Sequence, residues 1–110
     1  MRSWPCGVLG VFLSACGGAL ADGRSQFEQG QYPDAKQTLA SLEPEAARWD
    51  GARQATYALY RGLTFGALGD TARARSWLRE AETLEAAHPE SLSPEDRLRL
   101  KVVLEASAEP

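Results

Sequence analysis

The sequence predicts an all-α fold of about five helices after an N-terminal signal segment. Apolar residues beyond residue 21 recur with the three- and four-residue spacing of helices, and no long stretch alternates in the way that a half-buried strand would. Alanine is abundant and Ile is absent, which favours helix over strand. Glycine and proline fall at intervals that fit helix ends. We therefore expect antiparallel helical hairpins.

The N-terminal segment has the three parts of a secretory signal peptide. Arg2 is the only charged residue before Asp22, an apolar stretch covers residues 7–13, and small residues follow it. The stretch is far shorter than the roughly 20 residues of a membrane-spanning helix. We expect residues 1–21 to be a signal peptide and residues 22–110 to form the helical domain.

Two cleavage sites compete at the end of this segment. Residues 13–16, Leu-Ser-Ala-Cys, resemble the bacterial lipobox, in which the cysteine receives a diacylglycerol before the bond ahead of it is cut. Ala19 and Ala21 fit the small-x-small rule of ordinary signal peptidase, with cleavage after residue 21. Lipidation of Cys16, with acyl chains such as palmitate, would hold the mature chain at a membrane. The other cut would release a soluble product.

The lipobox resemblance implies a destination. In two-membrane bacteria an aspartate after the cysteine resembles an inner-membrane retention signal, whereas here Gly17 follows Cys16. The resemblance therefore implies an outer-membrane lipoprotein that faces the periplasm. A soluble periplasmic protein is the alternative.

The first predicted hairpin consists of residues 22–29 and a second helix that starts near Pro33. Gly30 ends the first helix, since a residue without a Cβ accepts a left-handed turn. The second helix has an apolar stripe spaced by four and three residues, formed by Ala35, Leu39 and Leu42. Residues 43–45, Glu-Pro-Glu, are expected to interrupt or kink it.

Three further helices are predicted over residues 51–68, 71–87 and 94–106. Gly69 ends the first of them, and Asp70 is placed to cap the second. Ser93 supplies a capping hydroxyl for the third, followed by a proline and two acids. The residues available for packing on the last helix are Leu98, Leu100, Val103 and Leu104. A solvating cap on its outer side is expected from Arg97, Arg99, Lys101 and Glu105.

The chain contains an internal repeat in which like residues recur at one constant offset. The residue pairs that share this offset are Gly30 with Gly69, Ala35 with Ala74, and Leu39 with Leu78. Residues 55–89 then resemble the tetratricopeptide repeat family through Gly62, Phe65, Gly69, Asp70, Ala74, Leu78 and Ala81. Arg61 departs from the family, which usually has an apolar residue there. The resemblance implies a fragment of a tetratricopeptide-like α-solenoid.

Composition argues against several classes of function. The formal net charge of −3 does not suit a nucleic-acid-binding protein. Cys6 and Cys16 both lie within the signal segment and His88 is the sole histidine, so the domain lacks the residues for a metal site or a nucleophile-base pair. We expect no cofactor, no catalytic residue and no small-molecule substrate. A cell-wall or peptide-acting enzyme is the rival, with His88, Glu80 and Glu85 as its candidates.

The tetratricopeptide resemblance also implies a binding surface. In that family the first helix of each pair lines a groove that holds a peptide or a helix. The residues carried over to this groove are Thr56, Leu59, Tyr60, Arg61, Leu63, Gly66 and Ala67. Tyrosine and arginine often dominate the energy of interfaces. The alternative is that Leu59 and Leu63 bury against the first helix or against the linker that contains Trp49.

These features together predict a non-enzymatic, membrane-anchored adaptor or scaffold. We expect it to bind a protein or peptide partner in the cell envelope through the helical groove. A narrower version is a pilotin-like escort of a secretion-pore subunit. A soluble periplasmic interaction module is the alternative.

Overall fold

The computed structural model describes residues 18–107. This part of the chain contains six helices and no strand, which confirms the all-α prediction. The helices are α1 (Ala19–Glu28), α2 (Tyr32–Ser41), α3 (Glu43–Ala46), α4 (Gly51–Ala67), α5 (Thr71–Ala87) and α6 (Pro94–Ser107).

Two helices differ from the sequence prediction. α1 starts at Ala19 rather than at residue 22, because the Asp22 amide donates to the Gly18 carbonyl at 2.7 Å and Leu20 packs against the core. The segment that was expected only to interrupt α2 forms the short helix α3, since Pro44 is tolerated in a first helical turn. The described part of the chain therefore has six helices instead of about five.

Two antiparallel hairpins, α1 with α2 and α4 with α5, repeat one packing contact. Gly23 of α1 lies so close to Leu39 of α2 that a Cβ on Gly23 would be 2.5 Å from Leu39 Cδ2. Gly62 of α4 lies in the same way against Leu78 of α5, where the corresponding distance is 2.7 Å. The two contacts are related by the offset of the sequence repeat. A glycine in each first helix thus lets the second helix approach closely.

Both hairpins turn at a glycine with a positive φ angle. Gly30 has a φ of 80° and Gly69 a φ of 87°, in the left-handed region that glycine adopts without strain. The Arg73 amide then donates to Asp70 Oδ1 at 3.2 Å. The predicted cap of α5 is confirmed, as is the predicted turn before it.

The core lies mainly between α2, α4 and α5, and Tyr57 is at its centre. The Tyr57 hydroxyl donates to the Leu39 carbonyl at 2.7 Å. Trp49 and Trp77 both make edge contacts with the Tyr57 ring, each with ring centres 5.7 Å apart. Two tryptophans from the linker and from α5 therefore close the core around one tyrosine.

The predicted solvating cap on α6 is only partly correct, because Lys101 and Glu105 are exposed as predicted but Arg97 and Arg99 are not fully so. Arg97 and Arg99 are half-buried and pair with groups on other helices, whereas Leu98 is 60% exposed and Val102 is 54% exposed. Burial of Leu100 against the core fixes this rotation of the helix. α6 consequently turns two apolar side chains towards solvent.

Candidate functional site

Most of the predicted groove residues of α4 face the interior of the domain. The buried ones are Leu59, Tyr60, Arg61 and Leu63. Thr56 is half-buried, while Gly66 and Ala67 are exposed. The structure therefore agrees with the alternative interpretation, in which Leu59 and Leu63 are buried within the domain. Direct contact between Leu59 or Tyr60, which are fully buried, and a partner would require the helices to separate.

Tyr60 is the centre of a partly buried polar cluster that joins α1, α4 and α6. Its hydroxyl donates to Asp96 Oδ1 at 2.8 Å and accepts from Arg99 Nη1 at 2.8 Å. Arg24 lies over the Tyr60 ring, with Nη1 3.7 Å from Asp96 Oδ2. Glu28 Oε2 lies 3.4 Å from Arg24 Nε and 3.6 Å from Arg99 Nη1. We call these five residues the Tyr60 cluster.

The buried polar atoms of the Tyr60 cluster are paired throughout. Within residues 18–107, none of its buried side-chain nitrogen and oxygen atoms lacks a hydrogen-bond partner. Burial, and then the hydrogen bond to Asp96, raise the pKa of Tyr60 well above its ordinary value of 10.0. The cluster therefore keeps the hydroxyl protonated as a donor to Asp96. Sequence reasoning missed this role, because Asp96 had been interpreted only as an acid at a helix start.

An open groove lies beside this cluster, between α1, α4 and α6. Its volume is 570 Å³, within the range of about 300–1,000 Å³ that is typical of ligand sites. The apolar residues that line it are Phe27, Leu63, Leu98, Val102 and Val103, and its charged residues are Glu95 and Arg99. We call it the apolar groove. Leu63, which the sequence predicted to line a binding groove, contributes the α4 wall of the apolar groove. The other walls come from α1 and α6.

The two candidate cleavage sites differ in their position relative to the folded domain. Cys16 and the rest of the lipobox lie outside the described residues. Cleavage after Ala21 would fall inside α1, where Ala19 and Leu20 pack against the core. A product that begins at Asp22 would therefore lose the first turn of α1.

Of the three candidate catalytic residues, Glu85 makes hydrogen bonds that stabilise the fold. Glu85 Oε1 accepts from the Leu92 amide at 3.0 Å, and Oε2 accepts from Arg97 Nε at 2.9 Å. Burial alone would raise the pKa of Glu85, but these hydrogen bonds outweigh it and the pKa lies below its ordinary value. Glu80 lines a separate cleft, and His88 is exposed at the end of α5. Glu85 thus holds the loop between α5 and α6.

Two further findings apply to residues 18–107. No group of three or more His, Cys, Asp or Glu residues is placed to hold a metal ion. No helix in this range is both long enough and apolar enough to cross a membrane.

Comparison with known proteins identifies no relative. No protein-family model, curated protein or solved structure matches the chain. A function must therefore be argued from the Tyr60 cluster, the apolar groove and the N-terminal sequence.

Proposed function

We propose that this chain is a non-enzymatic, membrane-anchored adaptor that binds a helix of another cell-envelope protein in the apolar groove. The observation that carries the proposal is the stripe formed by Leu98 and Val102, which are 60% and 54% exposed beside Leu63 and Phe27. A concave apolar surface of this kind is typical of a binding site for a partner.

The proposed occupant is an amphipathic helix because of the spacing and surroundings of this stripe. Leu98 and Val102 are one helical turn apart, so they form a ridge that fits between the side chains of a second helix. Glu95 and Arg99 flank the stripe with opposite charges, which favours a partner that has a basic and an acidic residue at matching positions. A helix bound in the groove would pack along the exposed apolar side of α6.

The finer fold that we propose is a fragment of a tetratricopeptide-like solenoid. The repeated contact of a glycine with a leucine, at the offset of the sequence repeat, supports two equivalent hairpins. α6 is in contact with α5, and contact between consecutive helices is what such an array requires. In such an array the groove lies along the first helices of the hairpins, here α1, α4 and α6.

The proposed anchor is a lipid on Cys16, at the outer membrane and facing the periplasm. The lipobox sequence of residues 13–16 supports it, and so does the position of α1. Cleavage before Cys16 leaves the first turn of α1 whole, whereas cleavage after Ala21 removes Ala19 and Leu20 from the core.

Crosslinking in the native host tests the groove. A photoreactive residue placed at Val102 should crosslink one envelope protein, and the same residue at the exposed Ser76 of α5 should not. A peptide that spans the crosslinked segment should then become helical on binding, and Val102→Asp should abolish this binding. Equal crosslinking from Val102 and Ser76, or a peptide that binds Val102→Asp as well as the parent chain, would refute the groove.

Intact-mass spectrometry of the mature protein tests the anchor. A mass that begins at acylated Cys16 supports it, and Cys16→Ala should then move the protein from the membrane fraction to the soluble fraction. A lipid-free mass that begins at Asp22 would contradict the anchor and would leave a soluble periplasmic module.

A further inference from the structure

Arg61 is a buried cation at a position where the resemblance to the tetratricopeptide family implies an apolar side chain. Its side chain is 8% exposed. The rings around its guanidinium carbon, with distances to the ring centres, are those of Trp77 (4.8 Å), Phe65 (5.2 Å) and Tyr57 (5.8 Å). Aromatic faces attract cations, so the three rings hold the guanidinium in place.

The hydrogen bonding of Arg61 is incomplete. Nη2 donates to Glu43 Oε1 at 3.3 Å, which is longer than the roughly 2.7–2.9 Å of a strong charge-assisted hydrogen bond. Nε and Nη1 are buried without a hydrogen-bond partner among the described residues, and so is Thr64 Oγ1 nearby on α4. Since buried polar groups are nearly always paired, the unpaired donors of Arg61 indicate a site for an acceptor that this part of the chain does not supply.

A small cleft lies between α3, α4 and α5, and part of its wall is formed by side chains that contact Arg61. Its volume is 210 Å³. Glu43, Tyr57 and Trp77 contact the guanidinium and also line the cleft, which places Arg61 directly behind them. Much of the remaining wall is apolar and includes Leu84. Arg61 does not line the cleft itself, so a ligand there would reach the guanidinium by displacing one of these three side chains.

Glu43 is the group that such a ligand would displace. Its side chain is 59% exposed and belongs to α3, a helix of four residues. A carboxylate so close to solvent gives up a long ion pair at small cost, because water solvates it fully. Glu43 therefore acts as a weak internal competitor for Arg61.

We propose that Arg61 and this cleft bind a small apolar monocarboxylate. The ligand carboxylate takes the place of Glu43 on the guanidinium, where two parallel N–H···O bonds match its planar geometry. The apolar part of the ligand packs against Tyr57 and Trp77. The cleft is smaller than the roughly 300 Å³ of sites that bind drug-sized ligands. Only a small molecule, or a small part of a larger one, would therefore fit in it. Glu80 in the wall disfavours a second negative charge.

Titration of the full-length, isotope-labelled chain with hexanoate tests this site. The nuclear magnetic resonance signal of Arg61 Nε–H should shift in a saturable way, and hexanamide, the uncharged analogue, should cause no shift. Glu43→Gln should tighten the binding of hexanoate by about tenfold, because the internal competitor loses its charge. Hexanoate should also change the tryptophan fluorescence of the parent chain, and Arg61→Met should abolish this change. Where Arg61→Met does not fold, Arg61→Lys replaces it and should lose at least about tenfold in affinity, since an ammonium lacks the planar fork.

Three results would overturn the proposal. These are the absence of saturable binding in both the parent chain and Glu43→Gln, an equal response to hexanoate and hexanamide, and unchanged hexanoate binding by the Arg61 variant. N-acetyl-leucine distinguishes the sources of the carboxylate. If it binds as hexanoate does, the site accepts the carboxyl end of a peptide, and if hexanoate alone binds, the site takes free acids. The site does not depend on the apolar groove, so this result is separate from the crosslinking experiment.

Discussion

Tyr60 and Arg61 are neighbours on α4 and both are buried, but the hydroxyl of Tyr60 is fully hydrogen-bonded whereas the guanidinium of Arg61 is not. The Tyr60 hydroxyl has an acceptor in Asp96 and a donor in Arg99, brought together from α6. The Arg61 guanidinium faces α3 and α5 instead, which supply the exposed carboxylate of Glu43 and the Trp77 ring. Successive residues of a helix point about 100° apart, so each of the two meets different neighbouring helices.

The two buried polar residues therefore have different roles. A fully paired cluster such as that of Tyr60 fixes the relative positions of the helices that contribute to it. An incompletely paired cation costs stability, because water has been removed and no acceptor replaces it. The Tyr60 cluster should therefore matter most for folding, and Arg61 for binding. Variants of each group test this division.

The largest loss of stability is expected from Asp96→Ala. Tyr60 loses the acceptor for its hydroxyl and Arg24 loses its buried counter-charge, so the free energy of unfolding should fall by about 3 kcal/mol. Urea unfolding followed by circular dichroism measures this change. Glu95→Ala, at the exposed neighbouring position, should remain within about 0.5 kcal/mol of the parent chain. A loss below about 1 kcal/mol for Asp96→Ala would show that the cluster does not carry the stability of this region.

Removal of the first turn of α1 should have the next largest effect. A chain that begins at Asp22 should be about 2 kcal/mol less stable than one that begins at Gly17, because it loses the burial of Leu20. Hydrogen exchange should show the loss first in α1, which carries Arg24 and Glu28 of the Tyr60 cluster. Leu20→Ala in the longer chain should reproduce about 1 kcal/mol of it. Equal stability of the two chains would mean that the first turn adds nothing to the fold.

Alkaline titration should reveal the raised pKa of Tyr60. In the unfolded chain this hydroxyl ionises near its ordinary value of 10.0, whereas in the folded chain it stays protonated to higher pH. The contribution of Tyr60 to stability is therefore constant well below pH 10 and is lost above it, by about 1.4 kcal/mol per pH unit. Burial raises the pKa of Tyr57 as well, so Tyr60→Phe should make the decline shallower without removing it. An unchanged slope in Tyr60→Phe, measured by urea unfolding from pH 9 to 11, would contradict this assignment.

The smallest change in stability is expected from Arg61→Met. The variant loses the attraction of the three rings, but it also relieves a buried charge with unpaired donors, and Glu43 is left in water. We expect the free energy of unfolding to stay within about 1 kcal/mol of the parent chain in urea unfolding. A loss above about 3 kcal/mol would place Arg61 beside Asp96 as a structural residue and would remove the contrast between the two.

The hairpins could be predicted from the sequence because their signals are local. Gly30 and Gly69 end helices through their own backbone conformation, and Asp70 caps a helix by accepting from an amide three positions further along. The rotation of α6 could not be predicted in this way. Leu98 and Leu100 are alike in sequence, and the choice between them depends on packing against distant helices, including the contact of Asp96 with Tyr60 across 36 residues.

The candidate site was harder to predict for the same reason. The family resemblance placed Tyr60 and Arg61 in a binding surface because of their residue types and positions. In the structure both side chains are buried, and the exposed apolar stripe belongs to Leu98 and Val102 on α6. The sequence assigned Leu98 to packing within the domain and did not single out Val102. The exposure of Leu98 and Val102 depends on how α6 packs against α1 and α4, which the local sequence does not determine.

The start of α1 also limits where a partner can be met. α1 begins at Ala19, and Gly18 already accepts a hydrogen bond within the fold. With the proposed lipid on Cys16, only Gly17 separates the anchored residue from Gly18, a span of at most about 7 Å. The domain would then diffuse in two dimensions, with its binding groove confined to a thin layer next to the bilayer. Partners embedded in the same membrane would meet it at a high effective concentration, whereas proteins deeper in the periplasm would have to approach the membrane first.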